Sequence, residues 1–381
     1  MTMDRIDVLV VGAGFAGAVC ARRMAEEFGL GVLLIDRRPH IGGNAHDALD
    51  EHGILCHSYG AHIFHTNAQR VIDYLSRFTD WRRYEHRVIA EVDGQFVPMP
   101  INRTTIERLH GRRFSSEAEV AAHLEALAEP HAEVKTSEQA VTSKVGRDLY
   151  ERLFRGYTRK QWELDPAQLH ASVCGRIPVR TGSDDRYFTD AFQHMPADGF
   201  TRMFERMLDH PNIDVRVGTD YHSIREQVSP RHLVWTGPID AFFDYRLGRL
   251  PYRSLRFERE TRHTPGGRRV QPVAVVNYPN ERIPFTRVIE FRHLTGQAAE
   301  VSTLAYEFPA AFGEPYYPVP RPENRTLYHR YEELARARGD VTFVGRLARY
   351  QYLNMDQVVA SALVAVDRWA AERDLTRRDA A

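Results

Sequence analysis

Gly12-Ala13-Gly14-Phe15-Ala16-Gly17 has the spacing GxGxxG, and Asp36 follows 24 residues after the first glycine. These residue types in this order have a definite chemical use. The first glycine permits a tight turn, the second lets backbone approach a pyrophosphate, and the third lets a helix pack closely on a strand. Unpaired N–H groups in the first turn of such a helix, together with its dipole, favour an anion. An acid near the position of Asp36 accepts hydrogen bonds from ribose hydroxyls. The chemistry expected of the stretch is dinucleotide binding, weighed against an ordinary glycine-rich turn.

The elements that must hold these residues lie on either side. Residues 6–11 form a β-branched run that meets glycine, as a buried parallel strand does. Phe15–Phe28 has helical spacing, with Val19, Ala21, Met24 and Ala25 available for packing, and residues 32–35 form a second short strand. This is a βαβ unit, so the chain is expected to be α/β, with helices covering a twisted parallel sheet. From about residue 67 to 164 strand alternation is lost, and residues 117–128 and 137–155 read as helices of an inserted bundle. Residues 270–277, 285–291 and 301–308 alternate and are split by Pro and Gly, which predicts an antiparallel sheet. Residues 213–217, 233–236 and 341–345 are expected to rejoin the first sheet. A final helix over 356–372 presents Val359, Leu363, Val366 and Trp369 on one face.

Composition narrows the function classes. Lys+Arg and Asp+Glu both number 51, so the 381-residue chain lacks the surplus positive charge of a dedicated nucleic-acid binder. Cys20, Cys56 and Cys174 lie too far apart for a disulfide framework and fit a reducing compartment. No metal-ligand spacing stands out among the 18 histidines. The apolar start is too short and too glycine-rich to span a bilayer. A cytoplasmic protein with no membrane insertion is expected.

Other segments resemble known families. Residues Arg37-Arg38-Pro39-His40-Ile41-Gly42-Gly43-Asn44 resemble the second-strand signature of glutathione-reductase-like and amine-oxidase-like flavoproteins. Phe343-Val344-Gly345-Arg346-Leu347 resembles their closing motif, so the cofactor implied is FAD. Three further segments narrow the family. They are Tyr59-Gly60-Ala61-His62-Ile63-Phe64-His65-Thr66; Gly156-Tyr157-Thr158-Arg159-Lys160-Gln161-Trp162 with Arg176-Ile177-Pro178-Val179-Arg180; and Pro315-Tyr316-Tyr317-Pro318 with Arg349-Tyr350-Gln351-Tyr352-Leu353-Asn354-Met355. In collinear order, from Val8 to about Trp369, they are similar to the bacterial UDP-galactopyranose mutases.

That resemblance implies interconversion of UDP-galactopyranose and UDP-galactofuranose, by attack of reduced FAD on the anomeric carbon with no net redox change. A diphosphate needs paired cations, and arginine binds phosphate bidentately; the family match assigns this role to Arg176 and Arg287, with Arg253 a third position. Uracil needs an aromatic platform. Tyr157 and Trp162 match it, with Thr158 and Asn277 also implied in substrate binding. Tyr187 matches a phosphate-contacting tyrosine, Tyr317 and Tyr352 match the pair on the far side of the diphosphate, and His65 matches a histidine beside the flavin. Toward the cofactor the resemblance implies Gly12, Gly14, Phe15, Gly17, Asp36, Gly43, Asn44, His62, Gly345, Arg346, Tyr352, Asn354 and Met355.

Two positions depart from the pattern: Asn354 stands where Asp is usual, so a proton-transfer role there is in doubt, and His86 stands where relatives place Asn. The expected organisation is a Rossmann-like FAD-binding domain (1–78, 196–243 and 318–376), a helical substrate domain (79–184) with a mobile loop near 176–185, and an antiparallel sheet domain (185–195 and 244–317). Relatives are often homodimers, so a homo-oligomer is expected. Two rivals share the glycine motifs: a flavin oxidase or dehydrogenase of the amine-oxidase group, which has no need of the Arg176/Arg287 pair, and a non-catalytic binding protein of the GDP-dissociation-inhibitor kind.

Overall fold

The computed structural model describes residues 6–375, so the outermost positions of the expected FAD-binding segments, 1–5 and 376, lie outside it. Strand β1 (Val8–Val11), helix α1 (Phe15–Phe28) and strand β2 (Val32–Asp36) form the βαβ unit. Gly29 ends α1 in the left-handed conformation with φ 68°, where a side chain would be strained. The sheet has five strands in the order Ile213–Val217, β2, β1, His232–Trp235 and Val341–Phe343. All four pairings are parallel, with Val8 opposite both Val32 and His232. Gly12 and Asp36 therefore sit together at the carboxyl ends of adjacent strands, where open parallel sheets bind ligands.

Helix Met355–Ala371 packs on α1, burying Val359, Leu363, Val366 and Trp369. Arg23 of α1 is 2% exposed. It is held by Glu27, by Asp367 and by the Leu363 carbonyl at 2.6 Å, so the charge buried at this joint is fully partnered.

A seven-stranded sheet runs Tyr317–Pro318, Tyr252–His263, Val301–Ala310, Arg287–Glu290, Val275–Asn277, Val88–Val92 and Gln95–Met99. Its pairings are antiparallel except that Val275–Asn277 runs parallel to Val88–Val92. The last two strands lie in a stretch expected to lack them. Asp93 and Gly94, both with positive φ, make the tight turn between them. The strand Tyr252–His263 was likewise not expected; its exposed half is Arg- and Glu-rich, which hides the alternation.

The helices expected over 117–128 and 137–155 are present as Glu117–Leu127 and Ser137–Tyr150, the latter continuing as a π-helical turn over Glu151–Arg155. Phe64–Thr66, Phe192–Pro196 and Trp81–Arg83 form a small antiparallel sheet with Phe192–Pro196 at its centre.

Candidate active site

The carboxyl end of the parallel sheet opens into a cavity of 730 Å³, within the range of about 300–1,000 Å³ typical of ligand and cofactor sites. Its floor is built for close approach of a ligand. Gly12 has φ 106°, and a Cβ there would lie 2.0 Å from Thr236 Oγ1. A Cβ on Gly17 would lie 1.8 Å from the Gly12 carbonyl oxygen, so helix and turn can meet only without a side chain. No side chain caps the start of α1 and no acid stands in its first turn, leaving its N–H groups for an anion. Asp36 accepts from the Ala13 N–H at 2.8 Å and from the Arg38 N–H at 2.9 Å, which fixes its carboxylate at the cavity edge. These residues fit a dinucleotide.

A second cavity, of 490 Å³, adjoins the first. Asn44, His62, Tyr316, Arg346, Leu353 and Met355 line both, so a ring bound at that junction would belong to the larger cavity and face the smaller.

Three structural devices aim side chains into the smaller cavity. First, the antiparallel register sets Asn277 opposite Arg287 and Arg287 opposite Glu307, so one polar row crosses three strands. All three line the cavity. Glu307 is 1% exposed and accepts from Arg287 Nε at 2.8 Å and from Thr286 Oγ1 at 3.3 Å.

Second, helix Gly156–Trp162 carries Tyr157, Thr158, Gln161 and Trp162 into the wall. It follows the π-helical turn, a local irregularity common at functional sites. A Cβ on Gly156 would lie 2.4 Å from the Pro279 carbonyl, and Lys160 Nζ donates to the carbonyls of Asn280 and Ile283 at 3.0 Å and of Phe285 at 2.8 Å. The helix is thus bolted to the loop that precedes Arg287.

Third, the segment from Arg176 to Asp185 has no helix or strand. Hydrogen bonds tie it in place: the Arg180 N–H donates to the Ile101 carbonyl and the Arg103 N–H to the Gly182 carbonyl, both at 2.9 Å. At its start, the Arg176 guanidinium lies 4.2 Å from the centre of the Tyr352 ring, on the cavity wall.

The electrostatics suit an anion. Burial acts to raise the Tyr352 phenol, but Arg176 and Arg346 outweigh it and the phenol is held below its ordinary value. Its stacked neighbour Tyr317, with ring centres 5.6 Å apart, is raised by burial and then by Glu307. Tyr157 is pushed up to about 12 by burial. Desolvation acts against the Arg287 charge, yet Glu307 overrides it and raises its pKa. His62 and His86 are each pushed down to about 3, by burial first, so both rings stand neutral at ordinary pH.

Most of the expected site residues fall in these cavities. Arg176, Arg287, His65, Tyr157, Thr158, Trp162, Tyr187, Asn277, Tyr317 and Tyr352 line the smaller one; Gly12, Gly14, Phe15, Asp36, Gly43 and Gly345 line the larger. Asn44, His62, Arg346 and Met355 line both.

The rest fall elsewhere. Gly17 works behind the turn. Asn354 and Tyr352, expected at the cofactor, line only the smaller cavity; Asn354 is also the N-cap of the last helix, where its N–H donates to Gln357 Oε1 at 2.9 Å. Arg253 lines neither: 5% exposed, it donates to the Gln161 carbonyl at 3.0 Å and pairs with Glu163 at 2.9 Å, buttressing the helix from behind. Glu307 and Asp190, neither foreseen, hold Arg287 and His65. His86 also enters the wall, 4% exposed.

A glycine cradle at the carboxyl ends of a parallel sheet, with an acid at the second strand, defines a Rossmann-like dinucleotide-binding protein. A protein-family model described as an NAD(P)-binding Rossmann-like domain matches residues 10–78. A second, described as UDP-galactopyranose mutase, matches residues 152–352. A Klebsiella pneumoniae protein named "Probable UDP-galactopyranose mutase" is 38% identical over 96% of this chain and 95% of its own. An Escherichia coli dTDP-fucopyranose mutase is 36% identical over 93% of this chain and 96% of its own. A crystal structure of reduced UDP-galactopyranose mutase superposes with a TM-score of 0.76 at 17% identity, covering 96% of both chains. A putrescine oxidase structure reaches a TM-score of 0.57 at 13% identity, covering 96% of this chain and 99% of its own. The chain belongs to the UDP-galactopyranose mutase family. It is an enzyme of that family, and a flavin is the cofactor its family and fold support.

Proposed function

We propose that this enzyme interconverts UDP-galactopyranose and UDP-galactofuranose, with FAD in the larger cavity working in its reduced form. One observation carries the reading: two guanidinium groups, Arg176 and Arg287, enter a cavity that shares a wall with the dinucleotide cradle. Reduced flavin bound there supplies an electron-rich nitrogen for the anomeric carbon of the sugar.

The protein's own groups do the rest. Arg176 and Arg287 grip the diphosphate, and Tyr317 and Tyr352 donate to its oxygens. The grip serves UDP both as leaving group and as returning nucleophile. Trp162 and Tyr157 wall the uracil, with Thr158 and Asn277 beside them; Tyr187 borders the phosphates. Asn44, His62, Arg346 and Met355 orient the ring at the junction. Closing the segment 176–185 over bound nucleotide excludes water from the reacting carbon. We further propose the cytoplasm as its location, a homo-oligomeric state and the three-part domain division given above, with the strands Val88–Val92 and Gln95–Met99 moved to the antiparallel sheet. Among the described residues no helix is long and apolar enough to cross a membrane.

The E. coli relative acts, by its name, on a thymidine nucleotide of a 6-deoxy sugar, so the sugar nucleotide is the part to test. Chemically reduced holoprotein is expected to equilibrate UDP-galactofuranose with the pyranose, with oxidised protein as control, and to do so faster than it turns over dTDP-fucopyranose. Faster turnover of the thymidine compound would reassign the substrate. No turnover of either, or steady oxygen consumption with an amine, would overturn the reading.

A further inference from the structure

His65 stands on the strand Phe64–Thr66, three residues beyond His62 at the cavity junction. Its ring is fixed from two sides. It stacks on Phe188 with ring centres 3.6 Å apart, and its Nδ1 lies 2.8 Å from Asp190 Oδ2. Nε2 has no partner among the described residues, and the ring lines the smaller cavity only.

The polarity of the Asp190 contact can be read outward from a donor that has no choice. The backbone N–H of Ala191 donates to Asn67 Oδ1 at 2.8 Å. That turns the Asn67 amide nitrogen toward Asp190, where it donates to Oδ1 at 2.9 Å. Asp190 thus accepts on one oxygen from Asn67 and on the other from His65, and a carboxylate at that distance keeps the imidazole proton on Nδ1. A neutral ring so held carries its lone pair on Nε2.

We propose that Asp190 is a positioning residue that fixes this tautomer, so that His65 presents an unprotonated Nε2 to the sugar. The inference rests on the mutase reading. Changing the ring size moves one proton, from the hydroxyl that closes the new ring to the oxygen released from the old one. The closing oxygen keeps its electron pair and bonds to the anomeric carbon, while the old ring oxygen takes its own pair from the broken bond. His65 Nε2 accepts the proton from the first oxygen and returns it to the second, so atoms and charge balance. The Asp190 carboxylate, 2.8 Å from Nδ1, stabilises the imidazolium between the two transfers.

Asp190→Asn tests this because its outcome is forced. Asn67 still offers its amide nitrogen, so the substituted amide must turn its carbonyl that way and its NH₂ toward His65 Nδ1. Nδ1 becomes the acceptor and the ring proton moves to Nε2. Heteronuclear NMR of the imidazole nitrogens in substrate-free holoprotein is expected to show Nδ1–H in the parent and Nε2–H in the variant. Turnover is expected to fall about 10²- to 10⁴-fold, with UDP affinity held within about threefold. Adding Asn67→Ala frees the substituted amide to present its carbonyl to Nδ1 again, and is expected to restore at least about tenfold of the lost turnover.

An Nε2–H tautomer in the parent protein would overturn the proposal outright, whatever the variants do. So would a reversed tautomer with unchanged turnover, or a double variant no faster than Asp190→Asn. If the parent turned over no galactofuranose substrate, the mutase reading would fall while the tautomer measurement still reported on Asp190.

Discussion

Replacing Arg176 by Ala gives the most direct view of how the smaller cavity binds. The guanidinium lies over Tyr352 at 4.2 Å from the ring centre, and Tyr352, which lines the smaller cavity, is 46% exposed. A charged donor to a phosphate oxygen contributes about 1.5–3 kcal/mol, and a fork-shaped guanidinium can make two such bonds. Against that stands the cation–π contact with Tyr352 that phosphate would weaken, worth about 0.5–2 kcal/mol. The net loss on truncation is about 2–4 kcal/mol, or a UDP affinity weakened about 30- to 700-fold.

Calorimetric titration of oxidised holoprotein with UDP measures it, with the flavin absorbance as a check that the cofactor is retained. The same variant has a spectroscopic signature. Arg176 is the foremost of the cations that hold the Tyr352 phenol below its ordinary value, so its loss must shift that titration upward, visible as ultraviolet difference absorbance. Arg176→Lys keeps the charge but not the fork and is expected to fall between. A UDP affinity within about threefold of the parent, or an unmoved tyrosine titration, would refute the reasoning.

Gly17→Ala is expected to abolish cofactor binding and lower the melting temperature, since its Cβ would lie 1.8 Å from the Gly12 carbonyl oxygen; a yellow, normally stable variant would contradict the cradle. Acid should destabilise the fold through two buried imidazoles. His57 and His86, 2% and 4% exposed, are held down to about 4 and about 3 by burial and then by Arg259 and Arg287 respectively. In the unfolded chain both titrate near about 6.5, so below that pH the unfolded state binds more protons, and each ring removes up to about 1.4 kcal/mol of stability per pH unit. Denaturant melts from neutral pH down to roughly pH 4 should lose stability with that slope, and a flat profile would count against neutral burial.

The parts legible in the sequence were those whose cause is local. β1, α1 and β2 follow from a β-branched run meeting spaced glycines. The last helix follows from its apolar stripe and a capping Asn354. The hairpin over Val88–Val92 and Gln95–Met99 had a local signal too, in Asp93-Gly94 between alternating stretches, and it was masked by the helical run that follows.

Partners brought together by sheet register were not legible. Glu307 is a single acid in an apolar strand, and only the antiparallel pairing discloses that it faces Arg287. Asp190 reaches His65 from a turn 125 residues away because Phe192–Pro196 pairs with Phe64–Thr66. Arg253 shows the converse. Its match to the family motif implies a place at the substrate, yet the fold uses its charge to support the helix Gly156–Trp162 from behind.

The order of strands in the parallel sheet has a consequence for how the enzyme matures. The pyrophosphate turn at Gly12 to Gly17 is synthesised more than 300 residues ahead of the wall that completes the cradle, Gly345 and Arg346. Synthesis runs at about 5–20 residues per second, so the nascent turn waits many seconds with its glycines open before the pocket can close. Flavin capture must therefore wait until both segments have been made, and it would fasten together two stretches that lie far apart in the sequence.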